Sequence, residues 1–258
     1  MQVVVTSEGL RLDGHLSRPS GERSLPSRPG LVLCHGFPAG TSAGASSAQP
    51  YPELADRIAE EAGWTVLTFS FRGIGQSEGN FSLRGWEADL SAAVTHLLAL
   101  DDVDAVWMAG ASTGGSLAIC VGGEDERVQG VAALSARADF DDWAAQPRRF
   151  LDHSREIGVI RDRTFPEDLE AWALELKQVR PLSLVAALSP RPLLLVQGSD
   201  DQVVPVVDAR ALADCHGHAE LRIIQGAGHH LRHDPRAIAV LLGWLERQAD
   251  ARPPLTPD

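Results

Sequence analysis

Apolar residues along the chain fall into two kinds of segment that alternate. Short, nearly continuous runs at residues 30–34, 64–69, 105–109, 128–134, 192–197 and 221–224 suit strands covered on both faces. Between them, residues 52–62, 83–100, 112–121, 206–215 and 235–248 carry apolar positions at helical spacing, as at Leu54, Ala55, Ile58, Ala59 and Ala62. Gly63 is placed to end the first of these helices, and Pro235 suits the first turn of the last. Residues 3–6 and 10–16 instead alternate around Ser7-Glu8-Gly9, which predicts an antiparallel hairpin. Strands and helices in succession predict an α/β fold, a mainly parallel central sheet with helices on both faces.

The pattern changes between residues 135 and 181. Helical spacing, charges and the aromatics Phe140, Trp143, Phe150, Phe165 and Trp172 occur there without a strand, which predicts a small helical cap insertion at about 136–181. Residues 182–188 suit a short return helix. Aromatics at helical spacing serve packing or line a pocket, and Arg148 and Arg149 fit a solvated face or a substrate carboxylate. Residues 18–29 and 38–50 are rich in Pro, Ser, Gly and Ala and read as loops; the Pro-rich tail at 251–258 is expected to be disordered. The 258 residues are expected to form one domain.

A formal charge of −12 argues against a nucleic-acid partner, which needs clustered Lys and Arg. No apolar run approaches the length of a membrane span, and the first residues lack a basic stretch followed by a long apolar one, so a cytoplasmic location is expected. Cys34, Cys120 and Cys215 are odd in number and border apolar segments, which predicts buried free thiols, and their spacing fits no metal site.

In parallel sheets chemistry gathers beyond the carboxyl ends of the strands. There the chain places His35-Gly36-Phe37, Ser112, Asp200-Asp201 and Gly228-His229-His230. Ser112 sits in Gly110-Ala111-Ser112-Thr113-Gly114, an apolar run that turns sharply into a helix; its bland alternative is a helix N-cap. A serine hydroxyl becomes a nucleophile only with a base in reach and an acid to orient that base, and the chain supplies Ser, Asp and His in that order. The glycines at 73, 75 and 79 do not make a dinucleotide fingerprint, because the third falls one place late and no helix opens on it; a tight loop is expected.

These four motifs in this order resemble the α/β-hydrolase superfamily along essentially the whole chain. The segment from Phe69 to Gly79 and the long helix after it are similar to the feruloyl and cinnamoyl esterases and the serine aminopeptidase-like hydrolases. The resemblance implies Ser112 as nucleophile, Asp201 as acid with Asp200 its neighbour, and His229 as base with His230 the alternative and His233 facing solvent. It implies an oxyanion hole of the Phe37 and Thr113 backbone N–H groups, a buttressing His35 and a structural Arg72. It further implies hydrolysis of small to medium acyl or aryl esters, a small-molecule substrate, and no cofactor or metal. Thioesterase, peptidase, perhydrolase and carbon–carbon hydrolase chemistry use the same three side chains, and a non-turnover ligand-binding protein on the same scaffold is the reading from another class. Activity is expected to rise with pH as His229 loses its proton.

Overall fold

Strands β1 (Gln2–Ser7) and β2 (Leu10–Ser17) form the expected hairpin, reversed by Glu8 and Gly9 at φ 48° and 82°. The structure, a computed structural model, describes residues 1–20, 29–38 and 50–251. Most of the loops expected at 18–29 and 38–50, and of the tail expected at 251–258, lies outside the described residues. After the hairpin come β3 (Pro29–Cys34), α1 (Tyr51–Ala62), β4 (Thr65–Phe69), α2 (Leu83–Leu98), β5 (Ala105–Ala111), α3 (Thr113–Glu124) and β6 (Val128–Leu134). Gly63 ends α1 at φ 77°, its N–H donating to the Ala59 carbonyl.

Between β6 and β7 (Leu193–Gly198) the chain forms four helices: α4 (Asp141–Ala145), α5 (Pro147–Glu156), α6 (Leu169–Gln178) and α7 (Pro181–Leu188). The third starts later than the spacing from Phe165 suggests. Pro166 brings no N–H, and the Asp168 carboxylate accepts the N–H groups of Glu170 and Ala171, fixing the start at Leu169. Helix α8 (Val206–His216), β8 (Glu220–Ile224) and α9 (Pro235–Asp250) complete the fold.

The sheet runs β1-β2-β4-β3-β5-β6-β7-β8, antiparallel at the first two pairings and parallel from β4 onward. Alternate residues of the central parallel strands supply two cores. Val32, Val106, Met108 and Leu195 face α2, α3 and the four inserted helices, while Leu31, Trp107, Leu194 and Val196 face α1 and α9. All parallel strands end at one edge, so the residues after Cys34, Ala111, Gly198 and Ile224 are delivered to a common region.

One sequence expectation fails. Cys34 and Cys120 are buried free thiols, but Cys215 is exposed, because α8 turns Ala209, Leu212 and His216 inward and the thiol lies one position off that stripe. Among the described residues no helix is long and apolar enough to cross a membrane.

Candidate active site

Strand β5 runs directly into Ser112, which holds φ 52° and ψ −125°, a conformation that costs a non-glycine residue energy. The glycines around it are required by space. A Cβ on Gly114 would stand 2.2 Å from the His35 carbonyl oxygen, and one on Gly110 would stand 2.6 Å from the backbone of Gly114 and Gly115. Strand, turn and helix therefore pack backbone against backbone, and the serine is turned outward. The N-cap alternative does not hold, since the Ser112 side chain makes no capping bond. Its Oγ lies 3.0 Å from His229 Nε2.

His229 is held from its other side. Nδ1 lies 2.9 Å from Asp201 Oδ2, and a carboxylate accepts only, so Nδ1 carries the proton and Nε2 is left free to accept from Ser112. The carboxylate is itself fixed: Oδ1 accepts the N–H groups of Val203 and Val204 at 2.9 Å, and Oδ2 accepts Gln197 Nε2 at 2.9 Å. Burial alone would raise the Asp201 pKa, but the Val204 N–H, the His229 bond and the Val203 N–H outweigh it and hold the group below its ordinary value. The acid and histidine loops meet closely, since a Cβ on Gly198 would lie 2.3 Å from the Ala227 carbonyl oxygen. Ser135 Oγ donates to the His229 carbonyl at 3.1 Å and ties that loop to the end of β6.

The alternatives stand apart. Asp200 is exposed and accepts the Ser199 hydroxyl, while His230 and His233 are exposed beyond His229. Phe37 and Thr113 both line the cleft over Ser112, and among the described residues neither amide donates to a protein acceptor. His35 is fully buried. Its Nε2 accepts the Phe71 N–H at 3.2 Å, so Nδ1 donates to the Gly36 carbonyl at 2.8 Å, and burial pulls its pKa down to about 4. It braces the segment that carries the Phe37 amide. Arg72 is spent on a buried, forked pair with Asp89, at 3.0 Å from Nε and 2.7 Å from Nη2. The loop after it is the tight turn expected, with Gly73, Gly75 and Gly79 all at positive φ.

The cleft measures about 820 Å³ and is walled by Phe37, Trp143, Arg137, Val203 and Arg232 as well as Ser112 and His229. Of the inserted aromatics, Phe140, Phe150 and Trp172 are buried in packing and half-buried Trp143 reaches the cleft. Arg148 and Arg149 are exposed and do not line it. Gln197, which positions Asp201, was overlooked although a lone amide closing the apolar run 193–196 was a visible signal. Arg137 and Arg232 had no signal of that kind. Among the described residues no three His, Cys, Asp or Glu side chains are grouped to hold a metal ion.

A family model described as "alpha/beta hydrolase fold" matches residues 29–157. An uncharacterized protein of Mycobacterium tuberculosis is 28% identical over 251 residues, covering 95% of this chain and 77% of its own. Among solved structures, Est1E from Butyrivibrio proteoclasticus superposes with a TM-score of 0.71 at 18% identity, over 97% of this chain and 99% of that one. Another structure of Est1E holds ferulic acid. An alpha/beta hydrolase from Penicillium sp. sh18 gives a TM-score of 0.71 at 22% identity, over 98% and 99%. The chain belongs to the α/β hydrolase fold family and is an enzyme of that hydrolase class.

Proposed function

We propose that this enzyme hydrolyses carboxylic esters of small to medium acyl or aryl groups through an acyl-enzyme on Ser112. The observation that carries the reading is the unbroken line from Asp201 Oδ2 to His229 Nδ1 and from His229 Nε2 to Ser112 Oγ, at 2.9 and 3.0 Å. In this reading His229 takes the Ser112 proton as Oγ bonds to the ester carbonyl carbon. The amides of Phe37 and Thr113 donate to the oxygen that becomes negative, each contributing on the order of 3 kcal/mol of transition-state stabilisation. His229 then returns the proton to the departing alcohol oxygen, and water repeats the cycle to release the acid. Asp201 stays ionised throughout and holds the imidazole in the one tautomer that can accept from serine. An aryl acyl group is in keeping with the ferulic acid held by Est1E.

The test is a fluorophosphonate label read beside turnover of p-nitrophenyl esters. Wild type is expected to be labelled at Ser112 and to turn over, and Ser112→Ala to lose the label and on the order of 10⁴-fold or more in kcat. One stoichiometric acylation without turnover would favour the ligand-binding alternative instead.

A further inference from the structure

Two arginines line the cleft over Ser112 that the reaction just described does not use. Arg137 follows the end of β6 and Arg232 stands three residues past His229. Nη1 of Arg137 is buried without a hydrogen-bond partner, while Arg232 packs its buried Nε toward Tyr51.

Neither arginine is fully neutralised within the fold. Arg137 lies 5.0 Å from the centre of the Trp143 ring and gives Nη2 to Asp142 at 2.6 Å, but that carboxylate is 58% exposed and screened by water. Arg232 lies 6.0 Å from the Tyr51 ring, and no carboxylate among the described residues forms an ion pair with it. Apart from Asp142, the charged lining of the cleft is these two guanidinium groups, in a chain whose formal charge is −12. The lining of the cleft therefore carries one more positive than negative side chain in an acidic molecule. A field of that kind gathers anions.

Resting on the ester-hydrolase reading, we propose that the substrate carries a carboxylate besides its ester, and that Arg137 and Arg232 bind this carboxylate at the wall of the cleft. Both residues line the cleft, and guanidinium presents its N–H groups in the plane that a carboxylate prefers. The cleft then selects by charge as well as by size.

The experiment compares p-nitrophenyl hexanoate with the mono-p-nitrophenyl ester of adipate, which differs by a terminal carboxylate, each corrected for its spontaneous rate. Hydrogen bonds to charged groups predict that wild type favours the adipate ester by about tenfold or more in kcat/KM, mainly through KM. That ratio is expected to shrink as salt is raised and to fall toward one in Arg137→Gln and in Arg232→Gln, with lysine at either position keeping part of it. Should the variants not fold, the wild-type ratio and its salt dependence decide. Hexanoate turned over with no preference for adipate, or a preferred trimethylammonium ester of similar length, overturns the carboxylate proposal and leaves the hydrolase reading standing. No turnover of either ester together with no fluorophosphonate label overturns the hydrolase reading, and the proposal with it.

Discussion

Beneath the cleft, backbone touches backbone: a side chain on Gly114 would strike the His35 carbonyl at 2.2 Å, and one on Gly198 would strike Ala227 at 2.3 Å. Above it, rings touch rings, with Trp143 stacked on Phe150 at 4.2 Å and Phe150 on Trp172 at 5.8 Å. The two kinds of contact tolerate change differently. A backbone approach of that closeness admits one residue type, whereas a cluster of rings accepts volume-conserving exchanges at small cost. On the proposed reading, the floor holds the reacting atoms to fixed distances while the roof is free to vary, which divides chemistry below from selection above.

The strongest way to break the comparison is to put one methyl group into the floor. Gly114→Ala is expected to destabilise the fold by at least about 3 kcal/mol, because the obstructing atom is main chain and cannot turn aside. Leu174→Ala in α6, at a side chain 49% exposed, is expected to stay within about 0.5 kcal/mol. Urea unfolding of both variants checks the contrast. Equal losses would mean that floor and roof are built on the same terms.

The floor should also respond to acid, through His35. Burial pulls this imidazole to about 4, against roughly 6.5 for a free histidine. Below pH 6.5 the unfolded chain takes up a proton that the folded chain refuses, so this group's contribution to stability is complete above 6.5 and declines as pH falls toward 4. Glu87, raised to about 7 by burial, acts in the opposite sense, since there the folded chain keeps a proton that the unfolded chain releases. A difference between proteins separates the two. His35→Gln keeps an acceptor for the Phe71 N–H, and the stability gap between wild type and this variant is expected to narrow by about 2 kcal/mol from pH 7 to pH 5. An unchanged gap would show that His35 is not held neutral.

What was legible in the sequence divides along the same line. Gly110, Ser112 and Gly114 announce the turn because no other spacing of small residues fits a strand packed against the helix that follows it. Asp201 and His229 stand just past strand ends, and a parallel sheet brings all such positions to one edge, so hydrogen bonds between residues 112, 201 and 229 follow from topology. Arg137 and Arg232 were invisible for the converse reason. Nothing in their neighbours along the chain says which way a long side chain turns, and only the folded walls decide it. Arg148 and Arg149 fitted a solvated face or a carboxylate, and α5 points them outward, as the solvated face requires. The expected burial of Cys215 fails, since a helix face rotates by 100° per residue and one position separates core from solvent.

Trp143 offers the finest test, because it is where roof meets floor. Its ring lies 5.1 Å from Phe37, which also lines the cleft, and 4.2 Å from Phe150 behind it. Trp143→Ala removes a half-buried ring from the wall and keeps every bond among Ser112, His229 and Asp201 in place. Aromatic pairs of this kind contribute about 1 kcal/mol each beyond area burial, so KM for short-chain p-nitrophenyl esters is expected to rise by several-fold. The widened wall should at the same time move the best chain length toward longer acyl groups, with kcat changing less than KM. A chain-length series on wild type and variant reads both quantities. A collapse of kcat comparable to that expected for Ser112→Ala would place Trp143 with the reacting atoms and erase the boundary between the two regions; a shift in length preference alone locates that boundary between Phe37 and Trp143.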